Sequence, residues 1–155
     1  LDIWRELGVK GEIANALYNR SYADAIEIMR GGPATPKVGE GRARLEEARE
    51  LYRDIGDTHG EASVVWGLGS FYYFGADAPQ AEDWYRKALE MHRMAGDRTM
   101  EAWSLHMLGL SVTGQRRWKE ATDLARQALQ HFYEAGDVSG VILVLDDLSI
   151  IVGRD

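Results

Sequence analysis

The sequence predicts an all-α protein, a helical-repeat solenoid built from helix pairs stacked at a fixed stride. Three observations carry that expectation. A glycine closing a helical phrase recurs at Gly8, Gly56, Gly96 and Gly136, at spacings of 48, 40 and 40 residues. A fixed period between 20 and 50 residues marks stacked arrays, in which one unit cannot bury its apolar face alone. The wording around those glycines also repeats, as DIGDTHGEASVVWGLG, MAGDRTMEAWSLHMLG and EAGDVSGVILVLDDLS. Within each period, apolar residues return at three- and four-residue intervals, the spacing of one helix face.

Taken in order, LDIWRELG at 1–8 aligns with LEMHRMAG at 89–96, so residues 1–8 read as the end of an earlier repeat's second helix. Repeat 1 (9–56) should begin with a long helix over about 12–29. The stretch GGPATPKVGEG at 31–41 follows, holds two of the three prolines and reads as a loop carrying the eight extra residues, a tolerated surface insertion more than a functional one. Leu45 and Ala48 mark its second helix. In repeat 2 (57–96), Leu68, Gly69 and Tyr72 share a face of a helix over about 57–73, which Gly75 should break. Ala81, Tyr85, Ala88 and Leu89 then define a helix ended by Gly96. Repeat 3 (97–136) has Leu108, Gly109 and Val112, then Trp118, Ala121, Ala125, Ala128 and Leu129 up to Gly136. Residues 137–155 supply the first helix of repeat 4, over about 141–152. Its β-branched run could form a buried strand in isolation, but its register with Gly136 predicts helix. Since both ends fall inside repeats, the natural protein is expected to continue in both directions.

The repeated phrase has a physical meaning. Gly56, Gly96 and Gly136 sit where a helix ends in a left-handed turn that glycine adopts without steric cost. Asp57, Asp97 and Asp137 follow, each placed to accept hydrogen bonds from the free amides of the next helix. Gly69 and Gly109 lie within helices, where glycine costs roughly 0.8–1 kcal/mol against alanine, so a close helix approach is expected there.

On these residues the sequence resembles the tetratricopeptide repeat family, whose units pair antiparallel helices around L-G-x-x-Y and A-x-x-x-Y/F-x-x-A-L patterns. Repeat 2 matches at Leu68-Gly69-x-x-Tyr72 and Ala81-x-x-x-Tyr85-x-x-Ala88-Leu89. In repeat 3, Val112 and Ala125 replace the aromatics at the same spacing, and repeat 1 departs further, with Asn19 and Arg20 in place of Leu-Gly. The resemblance implies a right-handed superhelix with a concave groove lined by the first helices. The forty-residue period is longer than the commonest form of that family, which leaves HEAT- or armadillo-like helical repeats as the alternative.

Composition narrows the chemistry. At 155 residues with 45% apolar and 28% charged residues, the chain can bury a core without staples. There is no cysteine, which excludes disulfides and thiolate metal sites and fits a reducing, cytoplasmic location. The longest apolar run, VILVL, is too short to span a bilayer. A net charge of −7 opposes attraction to phosphate backbones, so neither nucleic acid nor membrane is an expected partner. His59, His92, His106 and His131 include no pair four residues apart that would present a metal, and no metal or other cofactor is expected. Asp146 and Asp147 are neighbours that point apart on a helix, and GLGSFYYFG lacks the third glycine and preceding strand of a phosphate loop. No nucleophile–base arrangement is apparent, so an enzyme is not expected.

Repeat phase places Leu17, Ser21 and Asp24, then Ser63, Trp66, Ser70 and Tyr73, then Trp103, His106, Leu110 and Thr113, and finally Leu143, Asp146 and Ile150 on the implied groove. Several family members grip an acidic carboxylate there with Lys, Arg and Asn, none of which occurs at these positions. The expected partner is therefore a protein or peptide segment with apolar anchors and a basic residue. The competing reading buries Trp66, Tyr73 and Trp103 against neighbouring helices and makes His106 structural. The last helix is apolar on most sides, and Val141, Leu145, Leu148, Ile151 and Val152 are expected to mediate a two-fold homodimer. These features predict an interaction scaffold within a larger protein. The alternative is a ligand-sensing regulatory domain, since LYRDIGD at 51–57 and GEIANALYN at 11–19 resemble repeat arrays of bacterial signalling ATPases, nucleotide cyclases and transcription regulators.

Overall fold

A computed structural model describes residues 8–32 and 36–153, and the terminal helix turns expected at 1–7 lie outside these residues. The described residues form seven helices and no strand: α1 Lys10–Met29, α2 Lys37–Ile55, α3 Thr58–Phe74, α4 Ala78–Ala95, α5 Arg98–Gly114, α6 Trp118–Ala135 and α7 Val138–Val152. They fall into two compact units that divide after Asp77, α1–α3 in the first and α4–α7 in the second.

The stop-start phrase works as its chemistry predicts. Gly56, Gly96 and Gly136 adopt φ of 73°, 68° and 69°. Immediately after them, the carboxylates of Asp57, Asp97 and Asp137 accept from the amides of Gly60, Met100 and Gly140 at 2.8, 3.0 and 3.0 Å. Each cap satisfies a helix amide that would otherwise lack a partner, worth about 0.5–2 kcal/mol. With only two residues between helices, the chain must reverse and pack the new helix against the old.

In the first unit α2 packs against both α1 and α3. The contacts run in descending register, as antiparallel neighbours require: Tyr52 lies against Gly60, Leu45 against Gly67 and Phe71 against Gly41. On the other side the Tyr52 hydroxyl donates to Asn15 at 2.7 Å and the Ser21 hydroxyl to the Leu17 and Gly41 carbonyls at 3.0 and 3.3 Å. Leu17, Leu45, Val64, Val65, Leu68 and Phe71 form the core. Burying each such large side chain contributes roughly 1.5–3 kcal/mol.

The second unit repeats the scheme. His92 meets Ser104 at 2.9 Å between α4 and α5, and Phe132 of α6 packs under Gly140 of α7. Tyr85, Leu105, Leu108, Val112, Phe132, Val144 and Ile151 are interior. At Gly109 a methyl group would stand 3.6 Å from Leu124 Cβ and 3.8 Å from the Ala121 carbonyl oxygen, so α5 and α6 approach closely, as expected, with room for an alanine.

One expectation about loops changes. Residues 37–41 belong to α2, so the described loop after α1 comprises only residues 30–32 and 36. The glycines at 39 and 41 had argued for loop, but Gly41 is needed inside the helix because a side chain there would overlap the Phe71 ring. Gly75 ends α3, as expected, but without a left-handed turn. It has φ −77°, and Ala76 turns the chain at φ 59°, as Arg116 does at φ 60° forty residues later.

Candidate functional site

The expected groove positions divide into those that the packing consumes and those left open. In the first unit Leu17 and Ser21 are core residues at 2% and 1% exposure, and Asp24, 6% exposed, turns inward to pair with Arg44. These three are interior, because α1 lies with that face against α2. From α3, Ser63 and Ser70 hydroxyls donate back to the carbonyls of His59 and Trp66 at 3.1 and 3.3 Å, which leaves half-buried Trp66 and Tyr73 as the contact area on this face.

The second unit assembles more. Trp103 of α5 is half-buried and packs edge-on against Phe132 at 5.0 Å and against His106 at 5.8 Å between ring centres. His106 is 8% exposed, and its Nε2 lies 2.7 Å from Oδ2 of Asp147 on α7. Because a carboxylate only accepts, Nε2 carries the proton, and buried Nδ1 faces no hydrogen-bond partner. The part-buried pair ties α5 to α7. Leu143, Asp146 and Ile150 are exposed at i, i+3 and i+7, one stripe of α7, and Leu110 is half-buried.

Asp147 is the residue that sequence reasoning missed. Asp146 took its place on the groove, and the two carboxylates do point apart. The available signal was the spacing of 41 between His106 and Asp147, one repeat plus one residue, which sets them side by side on successive first helices. Of the expected self-association residues, Ile151 is interior at 2% exposure because α7 rests that side on the unit. Val141 and Leu148 are half-buried, and Leu145 and Val152 are open.

The strongest electrostatics lie away from this face. Glu82 of α4, 8% exposed, accepts from Arg86 at 2.6 and 3.0 Å, from Gln115 at 2.7 Å and from Arg117 at 2.6 Å. Burial opposes its ionisation, but these hydrogen bonds outweigh burial and hold the carboxyl below the ordinary glutamate range. Burial likewise opposes ionising Glu101, and Arg93, His131 and Arg98 overcome it. Both carboxylates clamp helix connections. Recesses of about 360 Å³ along α4, lined by Arg86, Leu89, Glu90, Arg93 and Met94, and about 590 Å³ between the start of α2 and the end of α3, touch neither Trp103 nor His106. Among the described residues no three His, Cys, Asp or Glu side chains converge as metal ligands, and no helix is long and apolar enough to cross a membrane.

Residues 61–134 match the sequence model described as tetratricopeptide repeat. That stretch carries tetratricopeptide repeats. Their helix pairs agree in fold with the crystal structure of the apo form of RapI, at a TM-score of 0.82 and 14% identity over 97% of this chain. The chain spans 40% of the length of that RapI chain. No curated protein matches it in sequence. The tetratricopeptide match covers α4 and α5 whole and most of α3 and α6.

Proposed function

We propose that the chain is an interaction module, in which the first helices of the tetratricopeptide repeats bind a protein or peptide segment that carries apolar anchors and a basic residue. The observation behind this reading is the exposed stripe Leu143, Asp146 and Ile150 on α7, the helix that the part-buried His106–Asp147 bridge ties to α5, which also carries half-buried Trp103. The aliphatic side chains offer area that gains from leaving water, and the Asp146 carboxylate favours a cation between them. The bridge holds α5 and α7 in register so that the stripe is preorganised. With no cysteine to protect, the reading places the module in the cytoplasm, working as a scaffold and not as an enzyme.

The second reading is a ligand-sensing regulatory domain of a signalling ATPase, cyclase or transcription regulator. It draws on the likeness to RapI, whose structure is described as an apo form. A small molecule held in a defined pocket near Trp66, Trp103 and His106 would favour the sensor, whereas binding along an open groove would favour the scaffold.

Selection of binders from a random peptide library, followed by fluorescence anisotropy, tests the proposal. Selected sequences should pair apolar residues with Lys or Arg, and Asp146→Lys should weaken them at least tenfold. Trp103→Ala should do the same with the circular dichroism spectrum intact. Binders of acidic character, or affinities that neither substitution changes, would remove the proposed site.

A further inference from the structure

Equivalent positions of the two units lie forty residues apart, so the start of α2 and the end of α3 correspond to the start of α4 and the end of α5. In the second unit this junction is closed. The Glu82 carboxylate accepts from Gln115 at 2.7 Å and from Arg117 at 2.6 Å, and a methyl group added to Gly114 would stand 3.5 Å from the Ala78 Cβ. In the first unit the same four places carry other residues: Arg42 for Glu82, Asp77 for Arg117, Val38 for Ala78 and Phe74 for Gly114. The charges are exchanged and two small residues are replaced by large ones. The recess of about 590 Å³ lies there, with Pro36, Val38, Gly39, Arg42, Phe74 and Asp77 in its lining.

Arg42 is half-buried, and its guanidinium carbon sits 4.7 Å from the centre of the Tyr72 ring. Among the described residues no carboxylate forms an ion pair with it, unlike Glu82, which is bonded on every side. A guanidinium over an aromatic ring still has its N–H fork to offer to a carboxylate.

We infer that this recess binds a small monocarboxylate with an apolar body. Arg42 holds the carboxylate, and Pro36, Val38 and Phe74 cover the body, which gains from leaving water. Asp77 balances the charge of Arg42 in the lining, which disfavours compact, multiply charged anions such as phosphate. The volume is that of a small-molecule site. The recess shares no residue with Trp103 or with the stripe Leu143, Asp146 and Ile150, so the inference is independent of the function proposed above.

The probe is phenylbutyrate, titrated into isotope-labelled protein and followed by backbone amide chemical shifts, with phenylbutanol and inorganic phosphate as comparison ligands. Phenylbutyrate should give saturable shifts at Val38, Gly39, Arg42 and Phe74 in the millimolar range, and the other two should bind at least tenfold more weakly. Arg42→Gln and Gly39→Asp should each weaken phenylbutyrate at least tenfold, the first by removing the cation and the second by adding a repelling carboxylate. Gly39 is exposed in the first turn of α2, nothing lies within 4 Å of an added methyl group, and an acidic residue suits that turn, so Gly39→Asp should keep the wild-type urea midpoint or raise it. Shifts that do not saturate or that fall elsewhere, equal binding of phenylbutanol, or an affinity that neither substitution changes would overturn the assignment.

Discussion

Side by side, Gly60 and Gly140 show how one side chain dictates another. Each opens a first helix over the aromatic residue that ends the preceding one, Tyr52 or Phe132, and an added methyl at either glycine would overlap that ring. At the third equivalent place the sequence has His92 and Met100 in their stead, and His92 meets Ser104. Gly140→Ala should therefore destabilise by about 1–3 kcal/mol through overpacking, whereas Gly109→Ala, with ordinary contact distances, should be neutral or stabilising by up to about 1 kcal/mol. Urea denaturation of the two variants distinguishes them directly. The left-handed residues give a second contrast. Gly96→Ala places a side chain at φ 68° and should cost about 1–2 kcal/mol, while Ala76→Gly relieves φ 59° and should raise stability. At the His106–Asp147 bridge, Asp147→Ala leaves a buried imidazole proton without its acceptor and should cost about 1–3 kcal/mol, measured the same way.

Helix boundaries depend on local chemistry that the sequence displays openly. The Gly-Asp phrase is legible because a left-handed turn and a carboxylate cap each demand a particular residue type, and all three copies carry both. Gly75 ends α3 as its residue type suggests, but the left-handed residue that follows, Ala76, carries no comparable signature. Long-range polar partners were less legible still. Glu82 collects three partners from α4 and the α5–α6 connection, and no local pattern announces that Gln115 and Arg117 close on it. The folded-state pKa values of Glu82 and Glu101 are lowered, so their contribution to stability is fully present above the unfolded glutamate value of about 4.3. It is lost as pH falls through the lowered folded values. The urea midpoint should drop in that window, and Glu82→Gln or Glu101→Gln should flatten the dependence by removing the titrating group.

For the whole molecule, period alone made the repeat architecture readable, since stacked helix pairs need the same small and large residues at every step. The surface was read less well for a related reason. Phase along the helix places Trp103, His106 and Asp146 on one side, but whether a side chain on that side is open depends on how closely the next helix approaches. Thus Leu17 and Ile151 turned out interior, and Asp147 emerged as the partner of His106. The proposed face combines aliphatic and acidic residues exposed on α7 with the His106–Asp147 bridge that ties α7 to α5. Backbone amide chemical-shift mapping of a selected peptide on isotope-labelled protein tests that account most directly. It predicts shifts concentrated at Trp103, Leu143, Asp146 and Ile150. Shifts confined to the outer residues of α4 and α6 would contradict it.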